Sequence, residues 1–415
     1  MVLRGDIMPF RMADTEGVAV VKVIGVGGGG GNAINTMVNN KLQGVEFIVA
    51  NTDKQDLQKS RADICLQIGP SITKGLGAGM DPDIGAQAAH ESLEDLKKAL
   101  KGSDMVFVAA GLGGGTGTGA APVVAKVAKE LGALTVAVVT KPFHFEGKAR
   151  MRTAEAGWDE LRKYVDAIIT VPNDRLLSLM QKNNRLADMF VMADHVLLQA
   201  VKGLTDLINV PGMINADFAD LRAVMKEVGP AIMGSGAAVG ENRATEAAKR
   251  AIDNQLLEDM GIDGARGLII NISGTEESLT LAEYMEVSAL IQSKVDEDAK
   301  IVLGVLYDEN LGDELRVTVI ATGIGNVVKK NEPLSLLEEP RKPLKITSMQ
   351  DVTSAPAPTN PRPSFVTPLL QSNFEGFDNL GVSSPRKEVT RSQKESRPWN
   401  EDYLETPTYL RKKAN

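Results

Sequence analysis

The sequence predicts an α/β protein: a doubly wound, mostly parallel sheet, then a long helix, then a smaller α+β domain. Three observations predict it. Short apolar runs recur between helical patterns, which is how strands buried on both faces of a parallel sheet read. Two of these runs end in glycine clusters, 27–31 and 111–119, so flexible backbone falls at strand ends. Hydrophobic residues make up 43% of the chain and aromatics only 4%, so the cores rest on Val, Ile, Leu, Ala and Met.

The elements follow in order. Residues 1–17 are mixed and polar, a flexible tail without the apolar stretch of a leader. Residues 18–26 form a buried strand, 27–32 a glycine loop, and a helix then runs to about Val38. The run 46–50 is the next strand and ends at Asn51-Thr52-Asp53. Residues 86–100 read as one helix, with Leu93, Leu96 and Leu100 on one face. The strand 105–110 feeds the loop 111–119, which feeds a helix over 120–131. Strands at 134–139 and 167–171 complete a first domain over 18–185. A long helix over 186–209 shows Met189, Val196, Leu197, Val201 and Leu204 at helical spacing, and Pro211-Gly212 ends it. The second domain, 210–329, holds helices near 219–228, 244–257 and 281–295 and strands near 267–272, 301–306 and 315–321. Residues 330–399 are rich in Pro, Ser, Thr and Asn, too poor in apolar residues for a core, and read as a disordered linker. The end, 400–415, regains Tyr403, Leu404, Tyr409, Leu410 and a basic cluster, the composition of a docking peptide that folds on binding.

Bulk chemistry narrows the function. The net charge is −8 and the pI about 5.2, which argues against a nucleic-acid surface. A single cysteine, Cys65, excludes an internal disulfide and fits a reducing compartment. It lies in an apolar run and reads as a core residue. No apolar run reaches the roughly 18 residues of a membrane span, so direct insertion is not expected.

The strand–loop–helix around Gly111–Gly119 carries the chemistry. Glycines admit close backbone approach, and a helix N-terminus presents free N–H groups to phosphate. Thr116 and Thr118 add hydroxyls. No Gly-Lys-Ser/Thr follows, so this is not a Walker loop. Gly25-x-Gly27-x-x-Gly30 with Asp53 downstream also fits a dinucleotide fingerprint, and an NAD-dependent Rossmann enzyme stands as the alternative. Against it, a second phosphate-type loop is superfluous for one dinucleotide, and no His, Cys or Tyr-Lys pair is placed for hydride transfer. Two glycine loops suit a nucleoside triphosphate better. Residues 73–80 form a third glycine-rich loop. Asp217 and Asp220, three apart, either pair on one helix face or leave Asp217 as an N-cap. Asn173 after Pro172 is either a turn former or a base ligand. Glu146 and Arg150, four apart, make a helix-start ion pair unless a ligand uses them.

The stretch Gly113-Gly-Gly-Thr-Gly-Thr-Gly119 resembles the signature loop of the tubulin/FtsZ GTPase family. The resemblance runs from about residue 18 to 325 and returns in the last dozen or so residues. It implies GTP held by Gly28, Gly29, Gly30, Gly31, Asn32, Gly115, Thr116, Gly117 and Thr118, with Mg²⁺ offsetting the phosphate charge. Ala78 and Gly79 would approach the γ-phosphate. Glu146 and Arg150 would meet the ribose and base region, and Asn173 and Phe190 the guanine. The family's Asn-Asp pair is Asp194-His195 here, which puts His195 at the guanine. A neutral imidazole offers one acceptor where a carboxylate offers two, so guanine selectivity is expected to fall. Asn215, Asp217 and Asp220 match the loop that completes the active site of the next subunit. The resemblance further implies a cytoplasmic head-to-tail homo-oligomer at the mid-cell division ring. Its turnover would be driven by hydrolysis; a polymerising scaffold with little hydrolysis is the other reading. Asp402, Tyr403, Leu404, Pro407, Leu410 and Arg411 match the family's tail, which binds membrane-tethering and regulatory division proteins. Thr406, Thr408 and Tyr409 depart from it and imply weaker partner affinity.

Overall fold

The computed structural model describes residues 19–177, 185–209, 212–214, 216–227, 229–253, 262, 264–296 and 298–324. The chain opens with β1 (Val21–Val26), α1 (Gly27–Asn39), β2 (Val45–Asn51), α2 (Lys54–Gln58), β3 (Ile64–Gln67) and α3 (Pro70–Thr73). Then come α4 (Pro82–Glu91), α5 (Leu93–Leu100), β4 (Met105–Gly111), α6 (Thr116–Glu130), β5 (Leu134–Lys141), α7 (Lys148–Leu161), β6 (Ala167–Pro172) and α8 (Asn173–Leu177). The strands lie in the order β3-β2-β1-β4-β5-β6, every pair parallel. The chain steps outward from β1 to β3, then returns to place β4 on the other side of β1. That makes the gap between β1 and β4 a topological switch point, the place where ligands bind in such sheets. Val26 pairs with Ala110, so both glycine segments leave the sheet at one level.

Every residue of β1 is buried, because helices cover both sides of the sheet. On one side Ile24, Ile48, Val108 and Val139 pack against α4, α5, α6 and α7. On the other, Phe47, Phe107, Val136 and Val138 meet α1 and α9 (Leu186–Asn209) through Met37, Leu197, Val201 and Leu204. That second core continues through Met233, Ile269 and Ile320 into the C-terminal sheet. This sheet is built from α10 (Phe218–Met225), β7 (Ile232–Ala238), α11 (Arg243–Ile252), β8 (Gly267–Gly274), α12 (Leu281–Gln292), β9 (Lys300–Tyr307) and β10 (Leu315–Thr322). Its order is β7-β10-β8-β9, with β10 antiparallel to both neighbours and β8 parallel to β9. Its far face is closed by α11 and α12.

The parallel sheet, the long helix and the smaller α+β unit are those the sequence predicts; several details differ. Residues 27–31 are not a loop ahead of the helix but its first turn. The expected single helix over 86–100 is two, α4 and α5, broken at Ser92. The Ser92 hydroxyl at the break accepts from the Gly69 N–H at 3.1 Å and so ties the junction of α4 and α5 to the residue before α3. Cys65 is exposed, not core, because β3 is the sheet edge and Cys65 points off it. A maleimide reagent should therefore label Cys65 in the native protein at about the rate of a free thiol; labelling only after denaturant would contradict the exposed placement. Strands β3 and β7 were not expected. β7 reads Ile-Met-Gly-Ser-Gly-Ala-Ala, with little apolar signal, because α11 lies against it: a Cβ on Gly236 would stand 2.2 Å from the Ala247 carbonyl oxygen. The tail 1–17, the linker 330–399, the peptide 400–415 and Asn215 lie outside the described residues.

Candidate functional site

Two helices start at the switch point, and neither is capped. α1 follows Val26 and α6 follows Gly115, with no side chain accepting their first N–H groups and no acid in either first turn. Two other helices of this domain are capped by the side chain of their N-cap residue, Asp53 accepting from the Gln55 N–H and Asp81 from the Asp83 N–H, whereas α3, α5 and α7 are not. Two adjacent sets of free N–H groups, each at the positive end of a helix, form a cradle for phosphate oxygens.

The glycines there divide into two kinds. Gly28 and Gly29 are exposed, as is Asn32, and they present the cradle's surface. Gly30 and Gly117 are buried and let the loops close on each other. A Cβ on Gly30 would stand 2.4 Å from the Ala109 carbonyl oxygen, and one on Gly117 2.7 Å from that of Gly111. Gly31 is half-buried. Gly115 lies against the third loop, where its Cβ would meet Ala78 at 2.9 Å. Ala78 is buried; Gly79 is exposed at φ +60, so that loop turns its backbone outward beside the cradle. The hydroxyls also differ. Thr116 is half-buried and bonded to Thr52 at 2.6 Å, tying the α6 start to the end of β2. Thr118 is buried, and its Oγ1 accepts from the Gly113 N–H at 2.8 Å. The Thr118 hydroxyl oxygen is thus engaged within the loop, supporting it from beneath.

Beside the cradle opens a cleft lined by Gly29, Asn32, Glu146, Arg150, Asn173, Phe190 and Asp194, with Gly111, Thr140 and Pro142 at its base. Glu146 pairs with Arg150 at 2.9 Å and accepts from the Phe143 N–H at 2.9 Å, so the expected ion pair exists and faces the cleft. Buried Phe143 stacks on Phe145 at 4.9 Å and meets Phe190 edge-on at 5.6 Å, which steers the half-exposed Phe190 ring. Asn173 is 6% exposed, and its Oδ1 has no hydrogen-bond partner. A turn-forming asparagine would spend that oxygen on nearby backbone. An orphaned acceptor at this depth is costly unless a ligand supplies the donor. His144, outside the cleft, pairs with Asp174 at 2.9 Å on the surface.

The expected cleft residue His195 is not among those that α9 turns toward the cleft. Phe190, Ala193, Asp194 and Leu197 share the stripe that faces the cleft, at helical spacing. His195 is one step further, turned by about 100°, and is exposed. Asp194 therefore lines the cleft and His195 does not. Burial, with no compensating cation, pushes the Asp194 carboxyl up to about 7. The signal was present in the spacing: Asp194, not His195, is i+4 from Phe190.

Asp217 and Asp220 are not at this cleft. Both are exposed at the start of α10, beyond the far end of α9, and Asp220 borders a hollow with Ala216, Lys300 and Val302. Asp217 occupies the N-cap position, but its side chain caps nothing. Neither carboxylate has an ion-pair partner among the described residues.

A parallel sheet with two uncapped glycine helix starts at its switch point, and a polar, aromatic-edged cleft beside them, defines a nucleotide-binding protein of non-Walker type. Comparison with known proteins specifies it. The GTPase domain of the tubulin/FtsZ family matches residues 20–181, and the FtsZ family C-terminal domain matches 229–325. The chain is 46% identical to the cell division protein FtsZ of Pseudomonas aeruginosa over 409 residues, covering 98% of this chain and all of that one. It is 53% identical to that of Coxiella burnetii over 318 residues, covering 76% and 82%. An empty FtsZ dimer from M. jannaschii superposes with TM-score 0.71 at 45% identity, over 75% of this chain and 89% of that one. The chain belongs to the tubulin/FtsZ family and is a GTPase of the FtsZ type. The dinucleotide alternative is thereby set aside.

Proposed function

We propose that this GTPase is a cell-division filament protein whose active site is divided between copies. The observation that carries the reading is the length of α9. Its 24 residues separate the cleft, at Phe190 and Asp194, from Asp217 and Asp220. From Phe190 to Asn209 the helix rises by roughly 28 Å, so one copy does not bring its own carboxylates to its own nucleotide. Stacked head to tail, each copy offers Asp217 and Asp220 to its neighbour's γ-phosphate, and a heterologous contact that does not close gives a filament. Asn215 belongs to the same proposed loop. The similarity to proteins named for cell division, and to a dimer of one relative, supports this reading.

Within a copy, the α1 and α6 starts hold the phosphates through backbone N–H groups and Thr116 stands at their edge. Asn173 and Asp194 read the base, and Phe190 with the Glu146–Arg150 pair borders the base and ribose. Among the described residues no cluster of three or more His, Cys, Asp or Glu is able to hold a metal by itself. The donor set fits Mg²⁺ carried mainly by phosphate and water, where it supplies charge neutralisation. Across the junction, Asp217 and Asp220 orient and deprotonate the attacking water. Exposed apolar side chains lie beside both halves, Leu76 and Met80 near the cradle and Met213 and Ile214 near the carboxylates, as a contact between copies requires. The peptide 400–415 is proposed to tether filaments to membrane-anchored and regulatory division proteins at a cytoplasmic mid-cell ring.

The test is GTP turnover per copy as protein concentration rises, with Mg²⁺ present and sedimentation in parallel. Turnover and pelleting should rise together above one threshold. Turnover strictly proportional to protein, with nothing pelleting, would mean a self-contained monomeric enzyme and defeat the divided site.

A further inference from the structure

Thr52, between β2 and α2, is 0% exposed. Among the described residues its hydroxyl meets one partner, the Thr116 hydroxyl at 2.6 Å, and the Thr116 hydroxyl meets no other. Two hydroxyls so placed carry two protons and share one hydrogen bond. One proton lies between the oxygens, and the other needs an acceptor elsewhere. The two oxygens are not equivalent in this. If Thr116 donated, the Thr52 proton would be left in a dry interior with no acceptor, the costly arrangement. If Thr52 donates, both protons are usable, because Thr116 is only half-buried and has an open side. The burial of Thr52 therefore sets the direction of the bond. The Thr52 O–H donates to Thr116 Oγ1, and the Thr116 proton points out of the pair.

Thr116 is the first residue of α6, and its side chain stands against the first residue of α1: a Cβ on Gly27 would lie 3.4 Å from Thr116 Cβ. The outward proton is thus presented where the two uncapped helix starts meet. Thr52 is itself fixed from the opposite side. Its carbonyl accepts from the Thr73 hydroxyl at 3.4 Å. The next two residues join the third glycine-rich loop, Asp53 bridging to Leu76 and the Lys54 N–H donating to the Gly75 carbonyl at 3.1 Å. A β-branched side chain is stiff at χ1, so a backbone held this firmly also holds the hydroxyl.

We propose that Thr52 is a positioning residue for the nucleotide: by donating to Thr116 Oγ1 it holds the Thr116 hydroxyl as a donor aimed at a phosphate oxygen in the cradle. Thr52 itself touches no nucleotide. The inference rests on the reading of Thr116 as a cradle residue and adds to it the group that orients it. A hydroxyl that already accepts one hydrogen bond is the better donor in the next, because each bond polarises its neighbour. A donor set in place beforehand also gives up little freedom when the ligand arrives.

The experiment measures GTP affinity of the full chain with Mg²⁺, at protein concentrations where nothing pellets, and the thermal midpoint of the nucleotide-free protein. The variants are Thr52→Val, Thr52→Ser, Thr116→Val and the Thr52→Val/Thr116→Val double. Thr116→Val should weaken GTP binding about ten- to a hundredfold, the worth of a hydrogen bond to a charged group. Thr52→Val, which keeps the shape and loses the hydroxyl, should weaken it about two- to fivefold by removing the polarising bond. Thr52→Ser should bind as the wild type does. In the double variant Thr52→Val should add nothing to the loss caused by Thr116→Val. The midpoints report the direction of the bond. Thr116→Val should lower the midpoint, because it strands the buried Thr52 proton, and Thr52→Val added to it should raise the midpoint again. Thr52→Val alone should lower it less than Thr116→Val alone, since the Thr116 hydroxyl still reaches water. Equal losses from the two single variants, with no recovery in the double, overturn the assigned direction. A Thr52→Val variant that binds GTP as tightly as the wild type, or that weakens binding by the same factor with Thr116 already replaced, overturns the positioning role alone. A Thr116→Val variant with full GTP affinity defeats the cradle reading of Thr116 and the role of Thr52 with it.

Discussion

Asp220→Ala copies should bind GTP as tightly as the wild type and still pellet, yet turn over about 10²- to 10⁴-fold more slowly, the range expected for loss of a positioned base. The cradle and cleft would be untouched, because Asp220 is exposed at the start of α10, a helix length from Phe190 and Asp194. Asp217→Ala should behave alike. It should cost the fold little, since its carboxylate makes no capping bond to lose. The decisive form of the measurement is a mixture. Asp220→Ala copies are combined with copies whose cradle is blocked by Gly29→Trp. Each alone is inactive, but a junction that pairs the nucleotide of the first with the α10 start of the second is complete. The mixture should recover turnover in proportion to such junctions. Two inactive variants that stay inactive when mixed, while still co-pelleting, would place both halves of the site in one copy.

Asp194→Asn should weaken GTP binding by about 2–4 kcal/mol, roughly 30- to 1,000-fold, because two charge-assisted hydrogen bonds to a purine edge are lost. His195→Ala should change it by less than about threefold, as expected for an exposed side chain off the cleft stripe. The opposite ranking would return the base-reading role to His195. The same carboxyl predicts a pH dependence. Burial raises it to about 7 in the free protein. The ionised form accepts from a guanine's N–H groups, and the protonated form sets an O–H against them. Affinity for GTP should therefore climb as pH rises toward about 7 and level off above it, with proton release on binding below that point. For the stability of the free protein the sign is the reverse. A carboxyl whose folded pKa is raised stabilises the fold while protonated, and that contribution is lost between about 4 and about 7 as pH rises. Asp194→Asn should flatten both slopes. A GTP affinity independent of pH in the wild type would mean that Asp194 is already ionised or is not at the base.

Much of this was legible in one dimension, and the reason is period. Strands buried on both faces must be apolar throughout, so β1, β4 and β5 announce themselves wherever they are. Where tertiary contact displaces side-chain volume, the signal weakens: four of the seven residues of β7 are Gly or Ala, and α11 presses on it at Gly236. Edge position did the same to Cys65, whose neighbours in the chain are apolar but whose own face has nothing packed on it.

The chain's own order of residues determined that two glycine segments end buried strands, that a long helix follows, and that Asp217 and Asp220 lie beyond it. Those are properties of local pattern and spacing. Folding alone decided what each residue does there. It turned Gly30 and Gly117 inward to pack while Gly28 and Gly29 remained open. It spent the Thr118 hydroxyl on Gly113, left Asn173 Oδ1 without a partner, and turned Asp194 toward the cleft and His195, about 100° further round, away from it. A side chain's direction depends on how its helix is rotated against the sheet. That rotation is set by the packing of Leu197, Val201 and Leu204 on strands distant in sequence, so no reading of the neighbouring residues contains it.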